Sequence, residues 1–184
     1  MTTAIILLAA GASHRFGGGK LEAEIGGRPV RDWAFAAAER ASFDRRIVVT
    51  TDAELQREGW DVAVNAQADE GLASSIRTGI AAASDTDLAV LALADMPFVP
   101  ASHFVALTKG EGVVFTRYPD ERSGIPAAFP ASAFERLLAL RGDRGASALG
   151  FENAASIALD AEALFDIDTL ADLDRARAIA ARRE

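Results

Sequence analysis

Short apolar runs alternate with helical stretches along the first half of the chain, and no other feature narrows the choice of fold as much. The runs are rich in leucine and β-branched residues and end at polar or glycine-containing segments, which is typical of strands buried in a parallel sheet. The predicted strands are Ala4–Leu8, Ile47–Thr51, Asp61–Asn65 and Leu88–Ala94, and the predicted helices are residues 29–42 and 71–83. Because this alternation places helices on both faces of a parallel sheet, we predict a three-layer α/β sandwich with Rossmann-like strand order.

The second half of the chain departs from this alternation. Two strand-like segments, Gly112–Thr116 and Pro126–Phe129, flank the turn-rich stretch Pro119–Gly124. We therefore predict a small antiparallel insertion in a mostly parallel sheet. The helices predicted in this half are residues 131–140 and Leu170–Ala181, the second with Thr169 and Asp172 as its capping pair. No repeat or low-complexity tract divides the sequence, so we expect a single domain over residues 1–184.

The composition excludes several classes of function. Acidic residues number 27 against 19 lysines and arginines, and the net charge of −8 argues against a nucleic-acid partner, which requires a basic face. The chain has no cysteine, which rules out disulfides, thiolate zinc sites and cysteine nucleophiles. The apolar residues 4–10 are too few to span a bilayer. We expect a cytoplasmic protein without a membrane partner.

A glycine-rich stretch follows the first strand directly, from Leu8 to Lys20, with the sequence LAAGASHRFGGGK. Backbone amides at the carboxyl end of such a strand converge on phosphates, and the side chains of Arg15 and Lys20 suit the same anion. It is not a Walker loop, because His14 and Leu21 stand where that pattern needs glycine and serine or threonine. A flexible connecting loop is the alternative interpretation. As a loop lysine, Lys20 is expected to be exposed.

Two further segments carry side chains that suit a phosphate site. Asp95 follows the most apolar strand and precedes a Met-Pro pair, a position from which its carboxylate is well placed to hold Mg²⁺; an ordinary turn aspartate is the alternative. Ser74, Ser75 and Arg77 follow Gly71 into a predicted helix, whose first amides and hydroxyls would face an anion or a base edge. Alternatively, Ser74 only caps that helix.

Five blocks in order along the chain resemble the molybdenum-cofactor cytidylyl- and guanylyltransferases of the MobA-like NTP transferase family. Leu8, Gly11, Ser13, Arg15, Gly17 and Lys20 match the family's L-x-x-G-x-S-x-R-x-G-x-x-K signature. The other blocks are Asn65 with Glu70–Gly79 (EGLASSIRTG), Ala94–Pro97 (ADMP), Gly142–Ala146 (GDRGA) and Asp166–Thr169 (DIDT). One block would be weak evidence, whereas five in the family's order and spacing are specific.

The resemblance implies a nucleotide-diphospho-sugar transferase-like fold and transfer of a nucleoside monophosphate from an NTP to a phosphorylated acceptor such as molybdopterin, with release of pyrophosphate. It implies Mg²⁺ as cofactor, with Asp95 and Asp168 as metal ligands within about 10 Å of each other. The catalytic residues it implies are Arg15, Lys20 and Asp95. The nucleotide-binding residues it implies are Leu8, Ala9, Ala10, Gly11, Ser13, Lys20, Asn65, Ser74, Ser75 and Arg77. A molybdoenzyme or its chaperone would be the protein partner.

The identity of both substrates rests on finer features. Family members with L-A-A-G are more often cytidine users, so Ala10 favours CTP, with GTP as the alternative. Ile125 stands where many relatives have histidine in G-H-P, Glu24 where proline is common, and Ser147 where an arginine often follows. These departures leave a sugar- or alcohol-phosphate acceptor open. Two rivals of other classes are a non-catalytic chaperone for the finished cofactor and an NTP-sensing regulator.

Overall fold

The computed structural model describes residues 1–11 and 15–183, and within these ranges seven strands form one sheet with helices on both faces. The strands are β1 Thr3–Leu8, β2 Glu24–Ile25, β3 Arg28–Pro29, β4 Arg45–Thr50, β5 Asp61–Val64, β6 Leu88–Leu93, β7 Val114–Arg117, β8 Ser123–Pro130 and β9 Ala155–Ala158. The α-helices are α1 Val30–Arg40, α2 Leu72–Ala82, α3 Ala101–Leu107, α4 Phe134–Leu138 and α5 Leu170–Ala181. The short pair β2 and β3 forms a separate antiparallel hairpin.

The strand order of the main sheet is β5-β4-β1-β6-β8-β7-β9. Strands β5, β4, β1 and β6 pair in parallel, as do β7 and β9, whereas β8 pairs antiparallel with both β6 and β7. The predicted mostly parallel sheet with an antiparallel insertion is therefore confirmed. Because the parallel strands share one direction, the segments that follow β1 and β6 leave the sheet at the same edge.

Alternating side chains of β1 supply both halves of the core. On one face of the sheet, Ala4, Ile6 and Leu8 pack with α2 and α4. On the other face, Ile5 and Leu7 pack with α1 and α3. Helix α5 lies apart from both groups and packs with the β2–β3 hairpin around the fully buried Ile25 and Ile167. This third cluster fixes the segment that precedes α5.

Several elements differ from the sequence prediction. The helix predicted over 131–140 consists of a 3₁₀ turn, Ala131–Ala133, followed by five α-helical residues, Phe134–Leu138. The hairpin β2–β3, helix α3 and strand β9 were not predicted, because they are short and β9 is largely exposed at the sheet edge. The capping box of Thr169 and Asp172 at the start of α5 is confirmed. Within the described ranges, no helix combines the length and the apolar character that crossing a bilayer requires.

Candidate active site

A cavity of about 570 Å³ opens at the carboxyl edge of β1 and β6. Five parts of the chain form its walls: the loop after β1, the start of α2, the segment after β6, the segment before α5, and the loop that carries Asp143. The side chains and backbone that line it belong to Leu8, Ala9, Ala10, Gly11, Lys20, Leu21, Ala68, Asp69, Gly71, Leu72, Ser75, Leu93, Asp95, Asp143, Asp166 and Asp168. Five of these residues are aspartates, so the cavity is acidic apart from Lys20.

Lys20 lies between the two predicted metal ligands. Its ammonium Nζ donates to Oδ2 of Asp95 at 2.7 Å and to Oδ1 of Asp168 at 3.2 Å. Its side chain is 9% exposed, so the expectation of an exposed loop lysine is wrong. The reason is tertiary: the partners that surround its ammonium, Asp95 and Asp168, come from segments far away in the sequence. Burial alone would lower the pKa of Lys20, but the charges and hydrogen bonds of the two aspartates outweigh it and raise the pKa above its ordinary 10.5.

The two aspartates meet because separate hydrogen bonds tie their segments together. Ile167 N–H donates to the backbone carbonyl of Asp95 at 3.1 Å, which joins the segment before α5 to the end of β6. The backbone N–H of Asp168 donates to Asp172 of the α5 capping box at 3.2 Å. Since both carboxylates contact one nitrogen, the two contacting oxygens are within about 6 Å of each other, so the predicted proximity is confirmed.

The residues around Lys20 fit a divalent cation. Asp95 and Asp168 each direct a carboxylate oxygen at one point, and such oxygens are the ligands that a divalent cation prefers, whereas the second oxygen of Asp95, Oδ1, is buried without a hydrogen-bond partner among the described residues. Burial, followed by the charges of Asp168 and Asp95, raises the pKa of Asp166, which shows that negative charge is crowded here. Within residues 1–11 and 15–183 no cluster of three or more metal-ligating side chains occurs. A cation here would therefore take two carboxylates from the protein and its other ligands from substrate and water.

Arg15 lies at the mouth of this arrangement. Its Nη1 is 3.4 Å from Oδ2 of Asp168, and its side chain is 80% exposed, so this contact is weak and the guanidinium is accessible to an incoming anion. Of the predicted nucleotide-binding residues, Leu8, Ala9, Ala10, Gly11, Lys20 and Ser75 line the cavity. Ser13 lies outside the described residues.

Three other predicted nucleotide-binding residues lie behind the cavity wall. Asn65 is buried, and its Nδ2 donates to the hydroxyls of Ser74 at 2.9 Å and Ser75 at 3.0 Å. Arg77 donates to the carbonyl of Leu140 and to the carboxylate of Glu70. Asn65, Ser74 and Arg77 are not among the residues that line the cavity. Asn65 holds the Ser75 hydroxyl in place, and Arg77 joins α2 to Leu140 and Glu70.

The start of α2 is less open to an anion than the sequence suggests. Gly71 occupies the N-cap position without a side-chain cap, and Ser74 donates its hydroxyl to the Gly71 carbonyl, so the capping role considered for Ser74 is wrong. The amide of Ala73 already donates to the carbonyl of Gly142. The carboxylate of Asp143 lies beside Gly71. This end of the cavity therefore suits a base or a sugar better than a phosphate.

Asp69 and Asp143 are lining residues that the sequence analysis did not single out. Asp143 lies within the Gly142–Ala146 block, which is the signal that would have found it. No motif marks Asp69, which reaches the cavity through the 3₁₀ turn Ala68–Glu70.

A second cavity of about 730 Å³ adjoins the first, and both are lined by Leu93 and Asp166. Its other lining residues are Met96, Tyr118, Pro119, Arg122, Ser123, Gly124, Ser147, Ala161, Leu164, Phe165 and Arg175. Ile125 does not line it: its side chain is buried in the core, and its carbonyl accepts a hydrogen bond from the hydroxyl of Tyr118. Ser147, at another position where the sequence departs from the family, does line this second cavity.

The family model of the MobA-like NTP transferase domain matches residues 5–156. No curated protein matches the chain significantly.

Solved structures match over nearly the whole length. Rv0371c from Mycobacterium tuberculosis H37Rv is 27% identical, with 97% of this chain and 98% of that chain covered and a TM-score of 0.85. A complex of Rv0371c with manganese is 25% identical over 97% and 99% of the two chains, with a TM-score of 0.81. A nucleotidyl transferase from Methanothermobacter, Mth528, is 23% identical over 100% and 99%, with a TM-score of 0.84, and shows the same fold.

Proposed function

This chain belongs to the MobA-like NTP transferase family and is a nucleotidyltransferase, and from this premise we propose that it transfers CMP from CTP to molybdopterin and releases pyrophosphate. One observation carries the proposal: Asp95 and Asp168, 73 positions apart, meet at Lys20 in a cavity walled by the glycine-rich loop. Two carboxylates beside a triphosphate would repel it without a cation. Their position therefore supports metal-dependent transfer over a carrier that only binds the finished cofactor.

The cofactor in this proposal is Mg²⁺, held by Asp95 and Asp168, both of which offer the oxygen ligands that this ion prefers. When bound, the ion neutralises charge on the triphosphate. The Rv0371c structure with manganese, from a relative 25% identical, supports a divalent cation in this fold. Manganese is therefore a suitable probe for the same site.

The reaction consists of attack by a phosphate oxygen of the acceptor on the α-phosphorus of CTP, with cleavage of the bond to pyrophosphate. Catalysis of such a transfer is mostly positioning and charge neutralisation. In the proposal Lys20 and the exposed Arg15 bind triphosphate oxygens, while the base end of the nucleotide lies toward the start of α2. Ser75 would then be the side chain nearest the nucleoside among the predicted residues of α2.

The second cavity is the proposed acceptor site. It adjoins the nucleotide cavity at Leu93 and Asp166, so an acceptor bound there would approach the α-phosphate of the nucleotide. Arg122 and Arg175 supply positive charge to it, which suits a phosphorylated acceptor. The aromatic rings of Tyr118 and Phe165 suit a planar ring system.

The base preference of the proposal rests on Ala10, which is buried and lines the cavity. Its methyl group narrows the loop where a glycine would leave more room, so CTP is preferred to GTP. The test is pyrophosphate release with each NTP, Mg²⁺ and molybdopterin. We expect the highest rate with CTP, and we expect Ala10→Gly to reduce this preference. Ala131→Gly, the same change at an exposed position that lines neither cavity, should leave the preference unchanged.

The outcomes separate the alternatives. Equal or faster release of pyrophosphate from GTP would overturn the choice of CTP, although the assignment as a nucleotidyltransferase would stand. Pyrophosphate release with a sugar phosphate but not with molybdopterin would overturn the proposal that molybdopterin is the acceptor. Binding of an NTP without release of pyrophosphate with any acceptor would favour the alternative of an NTP-sensing regulator.

A further inference from the structure

The ammonium of Lys20 contacts both of the carboxylates that are proposed to hold the divalent cation, Asp95 and Asp168. Its contacts of 2.7 Å and 3.2 Å join the carboxylates of two segments that are 75 and 148 residues away in sequence. The guanidinium of Arg15 contacts Oδ2 of Asp168 at 3.4 Å and is largely exposed. Lys20 is therefore the group that balances these carboxylates in the structure.

An incoming cation meets the same atoms. Because Oδ1 of Asp95 is shielded from solvent, an ion that enters from the cavity reaches Asp95 at Oδ2, which Lys20 already holds. A divalent ion binds carboxylate oxygens at a little over 2 Å, so an ion and an ammonium sharing these oxygens would be only a few ångströms apart. Two positive charges at that separation in a partly buried site repel strongly.

We propose that Lys20 competes with the divalent cation for Asp95 and Asp168, so that the cation binds tightly only after a nucleoside triphosphate has accepted the Lys20 ammonium. This inference rests on the metal site of the proposed function. The glycine-rich loop carries Lys20 along the cavity that receives the triphosphate, so phosphate oxygens are within its reach. Nucleotide and cation then bind cooperatively, and by linkage each raises the affinity of the other by the same factor.

The experiment is a titration of Mn²⁺, followed by electron paramagnetic resonance, into the full-length protein without nucleotide. The chain has two lysines, so Lys109→Met is a matched control that removes the same charge from an exposed position. We expect Lys20→Met to bind Mn²⁺ about tenfold or more tightly than the parent. Lys20→Arg and Lys109→Met should stay close to the parent. If Lys20→Met binds Mn²⁺ no more tightly than Lys109→Met does, the proposal is overturned.

The same titration with CTP present measures the coupling. CTP should increase the affinity for Mn²⁺ by a larger factor in the parent than in Lys20→Met, because only in the parent must the Lys20 ammonium leave Asp95 and Asp168. An equal factor in both proteins overturns the proposal. Failure of the metal site itself has a different signature: the parent then binds Mn²⁺ neither with nor without CTP, or Asp95→Asn binds it as the parent does.

A measurement on the parent covers the case in which Lys20→Met does not fold. With ¹³C at the lysine ε-carbons, the two lysines give two signals. Saturation with Mg²⁺ should shift the signal of Lys20, because its ammonium leaves the carboxylates, and should leave that of Lys109 in place. A Lys20 signal that is unchanged in the metal-saturated protein overturns the proposal.

Discussion

Gly71 fixes the start of α2 at the base end of the cavity, and its replacement by alanine is expected to be costly. Its φ of 95° and ψ of −172° belong to a region that residues with a side chain rarely adopt. A Cβ at this position would lie 2.1 Å from Oδ1 of Asp143 and 3.0 Å from the backbone carbon of Gly142. The exposed Asp143 side chain can rotate away, whereas Gly142 is held by the hydrogen bond from Ala73 N–H to its carbonyl.

The cost follows from these two effects. Backbone strain of this kind amounts to about 1–3 kcal/mol, and displacement of Gly142 adds about 1 kcal/mol of overpacking. We expect Gly71→Ala to lower the free energy of unfolding by about 2–4 kcal/mol, or the Tm by roughly 5–10 °C for a chain of this size. Thermal unfolding and urea titration measure both quantities. CTP binding should weaken as well, because Gly71 lines the cavity.

Gly145→Ala is the matched control in the same region. Gly145 has a φ of −77°, and a Cβ there would be 3.7 Å from Leu72, an ordinary van der Waals contact. Its Tm should remain level or rise slightly, because alanine reduces the entropy of the unfolded chain. If Gly71→Ala melts within about 1 °C of Gly145→Ala, well below the shift expected from strain, the reasoning from φ and the close contact is refuted.

Two further changes test the supports of the site and of the fold. Thr169→Ala removes the α5 capping box and should lower the free energy of unfolding by about 1 kcal/mol. It should also weaken Mn²⁺ binding, since Asp172 accepts the backbone N–H of Asp168; unchanged Mn²⁺ affinity in a titration would contradict this link. Burial alone would raise the pKa of Glu39, but hydrogen bonds from Arg57 and Trp60 outweigh it and lower the pKa below the ordinary 4.5. The parent should therefore have a higher Tm than Glu39→Gln at pH 7, and the difference should shrink as the pH falls below the ordinary 4.5 toward the lowered pKa. A difference that does not shrink below pH 4.5 would contradict it.

The main sheet was predictable because its central strands are buried on both faces. Such strands need continuous apolar runs, and those of β1, β4 and β6 are unmistakable in the sequence. Strand β9 has no such run, since three of its four residues are exposed and only its pairing with β7 makes it a strand. Helix α3, with seven residues, is too short for helical periodicity to mark it.

The site was predictable in its chemistry and not in its packing. The blocks around Asp95 and Asp168 indicated two carboxylates at one sheet edge, and the structure brings them to one nitrogen. The burial of Lys20 could not be predicted, because both of its partners come from distant segments. The same holds for Asn65, whose hydrogen bonds to Ser74 and Ser75 make it a support of α2.

The most direct test of the account is the initial rate of pyrophosphate release from CTP, with Mg²⁺ and molybdopterin, in the parent and in Asp95→Asn and Asp168→Asn. We expect each variant to be at least about a hundredfold slower, equivalent to roughly 2.7 kcal/mol in the transition state. Asp174→Asn, which removes the same charge from an exposed position on α5, should retain the parent rate. Rates for Asp95→Asn and Asp168→Asn close to that of Asp174→Asn would contradict the two-carboxylate site.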